Sequence, residues 1–173
     1  MDLQELQAKD VIKELHERMV TDSNDPHKHV GAALCLGDKV LSVGFNHYIV
    51  TQDPLYELPR EKHDESLNIL KTKYPYILHA EQCAIVEGLK ILGTLPQEAY
   101  RDKDLELYCT YFPCNECAKL IINAGIKKIY VSEFPDMSKE RYTISSVLFT
   151  LCGISVEYVD ESSIISYKKY DDK

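Results

Sequence analysis

The sequence predicts an α/β fold, a three-layer α/β/α sandwich around a mixed sheet of about five strands. Two observations predict it: an apolar hairpin pattern near the N-terminus, and an alternation of strand and helix patterns in the second half. A hairpin pairs its strands antiparallel, whereas successive strand–helix–strand units pair theirs in parallel. Together they give a mixed sheet that helices cover.

The first half of the chain supplies one helix and the hairpin. Apolar residues recur at near-helical spacing close to the N-terminus, which predicts an amphipathic helix over about 3–20. The hairpin strands are Val30–Leu36 and Val40–Phe45, joined by a short Gly-Asp turn. Residues 46–75 contain three prolines and many charges, so we expect a long irregular connection there.

The second half alternates between helix and strand patterns, and glycines follow two of its helices at the position that favours the left-handed conformation. We expect a surface tail over about 160–173 and treat residues 1–173 as a single domain. The predicted helices cover 79–92, 114–124 and 138–151, and the predicted strands cover 104–109, 127–131 and 154–159.

Composition and charge exclude several classes of protein. Hydrophobic residues make up 45% and charged residues 28%, which argues against a disordered chain. No apolar stretch is long enough to span a bilayer, and the acidic start Met1–Glu5 lacks a signal pattern. We therefore expect a cytoplasmic protein without a membrane partner. The net charge of −8 disfavours nucleic acid as a partner, because binding phosphates requires a basic face.

Of the six cysteines, only Cys114 and Cys117 form a C-x-x-C pair, which in a reducing compartment indicates metal or redox chemistry. At positions i and i+3 of a helix both sulfur atoms lie on the same side. The N-terminus of a helix also favours the thiolate form of a cysteine over the thiol. His79, from the preceding helix, completes a set of three ligands. Three protein ligands leave the fourth tetrahedral position of zinc open, as in catalytic sites. We predict zinc at these three residues.

Glu81 lies two positions after His79, so on a helix the two side chains point to different sides. We therefore expect Glu81 to remain outside the metal bond. At the start of a helix beside a pocket, its carboxylate can take a proton from an attacking water and hand it on. Glu81 is thus the predicted catalytic acid and base.

Two other interpretations of these residues stay open. A structural zinc site needs a fourth cysteine or histidine, for which Cys83 and Cys109 are the candidates. A thioredoxin-type dithiol would use the C-x-x-C pair alone, and it would leave the His-x-Glu motif without a role.

The two motifs resemble those of the zinc-dependent cytidine and deoxycytidylate deaminase superfamily, which combines H-x-E with P-C-x-x-C. Here they are His79-Ala80-Glu81 and Pro113-Cys114-Asn115-Glu116-Cys117. The resemblance extends from about residue 25 to residue 159. Two runs, Lys73–Tyr76 and Tyr111–Ile122, are most similar to the deoxycytidylate branch of the superfamily.

The resemblance implies a cytidine deaminase-like fold, one catalytic zinc, and hydrolytic deamination of a pyrimidine nucleotide, dCMP to dUMP plus ammonia. Asn46 resembles the substrate-contacting asparagine of the family, and we also expect Val30 and Phe112 to contact the substrate. Many members are homohexamers regulated by dCTP and dTTP, so we expect a homo-oligomer. The alternatives are a deaminase of dCTP, of free cytidine or deoxycytidine, or of an RNA base, and an inactive deaminase-fold subunit that regulates or scaffolds.

Two positions depart from the pattern of this family. Cys83 replaces the asparagine of H-A-E-x-N-A, and His47 replaces the second glycine of G-Y-N-G. The family uses the latter turn for nucleotide contacts, so we expect altered nucleotide regulation but intact catalysis. The basic residues nearest the motifs in sequence are the candidates for a phosphate contact: Arg60, Lys62, Lys71 and Lys73.

Overall fold

The computed structural model describes residues 3–49 and 73–160. Of the tail predicted over about 160–173, only residue 160 is among the described residues. The elements follow the predicted order, with one short strand pair added: α1 Leu3–Asp22, β1 Gly31–Leu36, β2 Lys39–Phe45, β3 His47–Tyr48, β4 Ile77–Leu78, α2 Ala80–Leu92, β5 Leu105–Cys109, α3 Asn115–Asn123, β6 Lys128–Val131, α4 Glu140–Leu151 and β7 Ser155–Tyr158.

Five strands form the main sheet in the order β2-β1-β5-β6-β7. Strand β1 pairs antiparallel with both β2 and β5, whereas β5, β6 and β7 pair in parallel. The hairpin and the strand–helix repeat thus meet at the β1–β5 ladder. The predicted mixed five-stranded sheet is confirmed.

Helices cover both faces of the sheet. Successive side chains of β1 point to opposite faces and show which helices cover each one. Ala32 and Leu34 face the core shared with α2, α3 and α4, whereas Ala33 and Cys35 face α1. The result is the predicted three-layer sandwich, with three helices on one face and one on the other. Among the described residues, no helix is both long enough and apolar enough to cross a membrane.

Gly44 brings β2 unusually close to α2. A Cβ atom at this position would lie 2.5 Å from the backbone oxygen of Ala80 and would also overlap the backbone nitrogen of Ala84. Only glycine permits this approach of two backbones. As a result, the end of β2 is held against the first turn of α2, where His79 and Glu81 lie.

The β3–β4 ladder is the element that the sequence analysis did not predict. It pairs His47 with Leu78 and Tyr48 with Ile77, so β3 lies at the start of the stretch expected to be irregular and β4 lies just after its end. Strands of two residues are too short to show an alternation of apolar and polar side chains. This ladder places the segment that precedes His79 alongside the segment that follows β2.

Candidate active site

Both motifs lie at helix N-termini that face each other. His79 is the N-cap residue of α2, and its backbone N–H donates to Oε1 of Gln82 at 2.9 Å, which fixes the start of the helix. Cys114 is the N-cap residue of α3, and Cys117 lies in the first turn of that helix. The i, i+3 spacing therefore directs both sulfurs towards His79.

His79, Cys114 and Cys117, here called the metal cluster, bring three ligand atoms within 4.8 Å of one another. Nδ1 of His79 lies 3.3 Å from Sγ of Cys117 and 3.5 Å from Sγ of Cys114. Ordinary Zn–N and Zn–S bonds at a tetrahedral angle separate nitrogen and sulfur by about 3.6 Å. Thiolate and imidazole ligands also suit zinc chemically. The residues present therefore fit zinc.

Protonation in the metal cluster follows from its hydrogen bonds. The Cys117 thiol, with His79 as a further partner, lowers the pKa of Cys114 to about 3. The hydrogen bond to Cys114 in turn raises the pKa of His79 to about 9 and raises that of Cys117. Of the two sulfurs, Cys114 is therefore the one that forms a thiolate more readily. Zinc requires a neutral imidazole and thiolate sulfurs, so its binding is coupled to proton release.

Neither candidate for a fourth ligand joins the cluster. Within the described residues, the group able to hold a metal contains three side chains and excludes Cys83 and Cys109. Sγ of Cys83 instead lies 3.7 Å from Nδ1 of His47. The Cys109 thiol is fully buried, and burial raises its pKa. A set of three protein ligands is typical of a catalytic zinc site, whereas a structural site uses four.

Glu81 is 5% exposed and lines the same cavity as His79 and Cys114. Burial raises the pKa of its carboxyl group. Among residues 3–49 and 73–160, no lysine or arginine forms an ion pair with it. A buried carboxyl group whose pKa is raised towards neutrality is suited to accept and return a proton. We call Glu81 and the metal cluster the metal side of the site.

A cavity of about 180 Å³ opens beside the metal side. The predicted substrate contacts Val30, Asn46 and Phe112 all line it, and their contact with a substrate stays a prediction. Phe112 is 3% exposed and packs edge to face against Tyr142, at 6.4 Å between ring centroids. A second group of lining residues, here called the loop side, consists of Asp25, Lys28, Val30, Asn46 and Lys73.

Asn46 is the hydrogen-bond centre of the loop side. Its Nδ2 donates to Oδ2 of Asp25 at 3.1 Å and to the backbone oxygen of Lys28 at 2.7 Å. Its Oδ1 accepts from the Val30 N–H at 2.7 Å and from the Ser23 hydroxyl at 2.9 Å. Both donors and both acceptor positions of the amide are therefore used within the chain, which fixes its orientation.

Lys73 ends on the loop side as well. Its Nζ lies 2.6 Å from both carboxylate oxygens of Asp25, and each side chain is 4% exposed. The charge of Lys73 is thus balanced within the chain. Of the four cations considered for a phosphate contact, Lys73 is the one within the described residues, because Arg60, Lys62 and Lys71 lie outside them.

The sequence motifs do not indicate several residues that line the cavity, among them Tyr142, Lys139 and Arg141. All three lie at the start of α4, more than twenty positions after the second motif. One signal existed: the start of a helix favours anions, yet Lys139 and Arg141 are cations placed there. The helix predicted over 138–151 already places both cations at its start, so this signal was present in the sequence.

Comparison with known proteins agrees with this geometry. The family model described as "Cytidine and deoxycytidylate deaminase zinc-binding region" matches residues 6–133. The mouse deoxycytidylate deaminase is 36% identical over 135 residues, covering 77% of this chain and 68% of that protein. The human deoxycytidylate deaminase is 32% identical over 141 residues, with the same shares of the two chains covered.

A solved structure shares the fold. It is the dCMP deaminase of the cyanophage S-TIM5 in complex with dCMP and dUMP, with a TM-score of 0.58 and 26% identity. The match covers 91% of this chain and 98% of the phage chain. The family match spans both motifs and the whole of α2, α3 and the sheet up to β6. This chain belongs to the cytidine and deoxycytidylate deaminase family, whose members bind zinc.

Proposed function

We propose that the chain hydrolyses dCMP to dUMP and ammonia, with zinc held by His79, Cys114 and Cys117 and with Glu81 as the catalytic acid and base. One observation carries the proposal: an N,S,S metal cluster and a buried carboxyl group that forms no ion pair with a lysine or arginine of the described residues share one cavity. The mouse and human relatives and the phage structure support a deoxycytidylate substrate.

The chemistry divides between metal and carboxylate. Zinc, when bound, supplies a Lewis acid that lowers the pKa of a water molecule towards about 7. Glu81 takes a proton from the attacking water and delivers it to N3 of the cytosine while the water oxygen adds to C4. Glu81 then takes the second proton from the new hydroxyl group at C4 and transfers it to the amino group, which leaves as ammonia. The C4–N bond breaks, a C4=O bond forms, and no oxidant is required.

The surroundings of Glu81 suit both transfers. Burial raises the pKa of its carboxyl group, so the protonated form is accessible during the cycle. The edge-to-face rings of Phe112 and Tyr142 form an apolar surface beside it, against which a pyrimidine ring can pack.

Replacement of Glu81 by glutamine tests the assignment. We expect Glu81→Gln to keep its zinc and its fold while ammonia release from dCMP falls about 10⁴-fold, the upper end for general acid–base groups. The matched control is Glu87→Gln, on the exposed side of the same helix, which should retain activity. Retention of more than about a tenth of the activity by Glu81→Gln would show that another residue moves the protons.

The substrate is tested by ammonia release from dCMP, dCTP, deoxycytidine, cytidine and short single-stranded RNA. We expect the largest kcat/KM for dCMP. A larger kcat/KM for another compound would make that compound the substrate in place of dCMP. The absence of ammonia release from all of them would indicate an inactive deaminase-fold subunit. The single domain, the homo-oligomer and the cytoplasmic location stay predictions, and sedimentation velocity tests the second of these.

A further inference from the structure

We infer that His16, acting through Ser132, positions the segment of residues 110–114. This segment carries the metal ligand Cys114 and the cavity residue Phe112. The inference rests on the proposed function, because it assigns His16 a role in that reaction. His16 lies on α1, which covers the face of the sheet opposite α2 and α3, and it is not among the described residues that line the cavity. It is therefore a positioning residue and not a catalytic one.

A chain of hydrogen bonds connects His16 to this segment. Nε2 of His16 lies 2.8 Å from Oγ of Ser132, and the Ser132 hydroxyl donates to the backbone oxygen of Thr110 at 3.1 Å. A serine hydroxyl has one hydrogen and a carbonyl oxygen can only accept, so Oγ of Ser132 has to accept from His16. Nε2 of His16 therefore carries a hydrogen, and the chain has a single direction from His16 to Thr110.

Thr110 is the point at which this chain reaches the site. It directly follows β5, and Ser132 directly follows β6, so both lie at the carboxyl ends of neighbouring parallel strands. The backbone N–H of Thr110 donates to the Gly31 oxygen at 2.9 Å, and its hydroxyl accepts from the Gly31 N–H at 3.0 Å. The residue is thus held from β1 on one side and through Ser132 on the other.

The rest of the segment depends on Thr110 for its position. Residues 110–114 lie between the end of β5 and the start of α3, outside both elements. Within them, the Phe112 N–H donates to the Glu133 oxygen at 2.9 Å, which continues the pairing between the two strand ends. Cys114 follows two residues later. A displacement of Thr110 would therefore move part of the aromatic wall and one metal ligand relative to α2.

The imidazole of His16 is a buried polar group on an apolar helix face. The neighbouring α1 side chains that pack against the sheet are Ala8, Ile12 and Leu15, each at most 1% exposed. His16 is 9% exposed and Ser132 is 4% exposed. Burial of polar groups costs free energy unless they are hydrogen-bonded, so an apolar pair would pack here at a lower cost. A hydrogen bond, however, fixes both distance and direction, which a segment that holds a metal ligand requires.

Substitutions at both ends of the chain test the inference on dCMP turnover. We expect His16→Leu and Ser132→Ala each to lower kcat about 10-fold at full zinc occupancy, because a misplacement of about 1 Å at a reacting site costs up to about 100-fold. The double variant should be no slower than either single variant, since both break the same chain. His16→Gln, whose side-chain amide can donate to Ser132, should recover part of the loss.

Ile12→Val is the matched control for stability. Ile12 is fully buried one turn before His16 on the same helix, and its shortening removes no hydrogen bond. We expect this variant to lower the melting temperature and to leave kcat unchanged. An equal loss of kcat in Ile12→Val would show that α1 acts through stability alone and would overturn the inference. If His16→Leu does not fold, Ser132→Ala carries the test, because it removes a single oxygen atom.

Cobalt supplies a readout that does not depend on turnover. Co²⁺ in place of zinc absorbs visible light through its thiolate ligands, and the bands follow the ligand geometry. We expect His16→Leu and Ser132→Ala to shift these bands, and Ile12→Val to leave them unchanged. Unchanged bands in both variants would overturn the inference whatever their activity. A wild-type protein that releases no ammonia from dCMP, but whose cobalt bands shift in Ser132→Ala, would instead refute the proposed function alone.

Discussion

The two sides of the cavity each bury one carboxyl group, and the two groups differ in whether a lysine or arginine pairs with them. Asp25, on the loop side, is 3% exposed and has both oxygens 2.6 Å from the ammonium of Lys73. Glu81, on the metal side, is 5% exposed and forms no ion pair with a lysine or arginine of the described chain. A buried carboxylate with a fixed counter-charge holds structure, whereas one without it is left to exchange protons.

The largest expected effect breaks the metal side. Cys114→Ala removes one of the three ligands, so we expect the protein to lose most of about one zinc per chain and nearly all activity. Elemental analysis of the purified protein measures the zinc directly. Cys83→Ser is the control and should retain the metal. Zinc retained in full by Cys114→Ala contradicts the ligand set, and zinc lost by both variants indicates a four-ligand structural site.

An intermediate effect is expected on the loop side. Lys73→Met leaves Asp25 buried without a counter-charge, which we expect to lower the free energy of unfolding by about 3–5 kcal/mol. The double variant Asp25→Asn with Lys73→Met removes both charges and should recover part of that loss. Urea denaturation measures both variants, with Glu81→Gln as the contrast, expected to change stability by less than about 1 kcal/mol. A loss below about 1 kcal/mol in Lys73→Met would mean that water solvates Asp25.

The smallest effect is expected for a substitution of Cys83. Sγ of Cys83 lies 3.7 Å from Nδ1 of His47, a weak contact, and burial raises the pKa of this thiol to about 11. Cys83→Asn restores the residue usual in the family and should change stability by less than about 1 kcal/mol, with zinc content unchanged. Thermal unfolding and zinc analysis measure both quantities. A large change in either would connect Cys83 to one of the two sides.

The metal side could be predicted from the sequence because its information is local. His79 and Glu81 lie in one three-residue motif, and Cys114 and Cys117 lie one helical turn apart. Each motif starts a helix, so residue spacing alone gives the direction of the side chains. The fold class followed for the same reason, from repeating patterns within each element.

The loop side and the part of the cavity formed by the start of α4 could not be predicted in this way. The pairing of Lys73 with Asp25 joins residues 48 positions apart and depends on the chain path around the unpredicted β3–β4 ladder. Lys73 was therefore grouped with loop cations as a phosphate candidate, although its charge is balanced. Arg141 reaches the cavity only because α4 packs beside α3, a contact that no local pattern encodes.

The metal cluster also joins His79 to a helix that starts 35 positions later, so bound zinc acts as a cross-link between α2 and α3. Unlike a disulfide, this cross-link is lost when the chain unfolds, because the unfolded chain does not preserve the site, so zinc stabilises the folded state by binding to it. Each tenfold rise in free zinc above the dissociation constant adds about 1.4 kcal/mol to folding stability. We therefore expect the free energy of unfolding to rise with the concentration of free zinc.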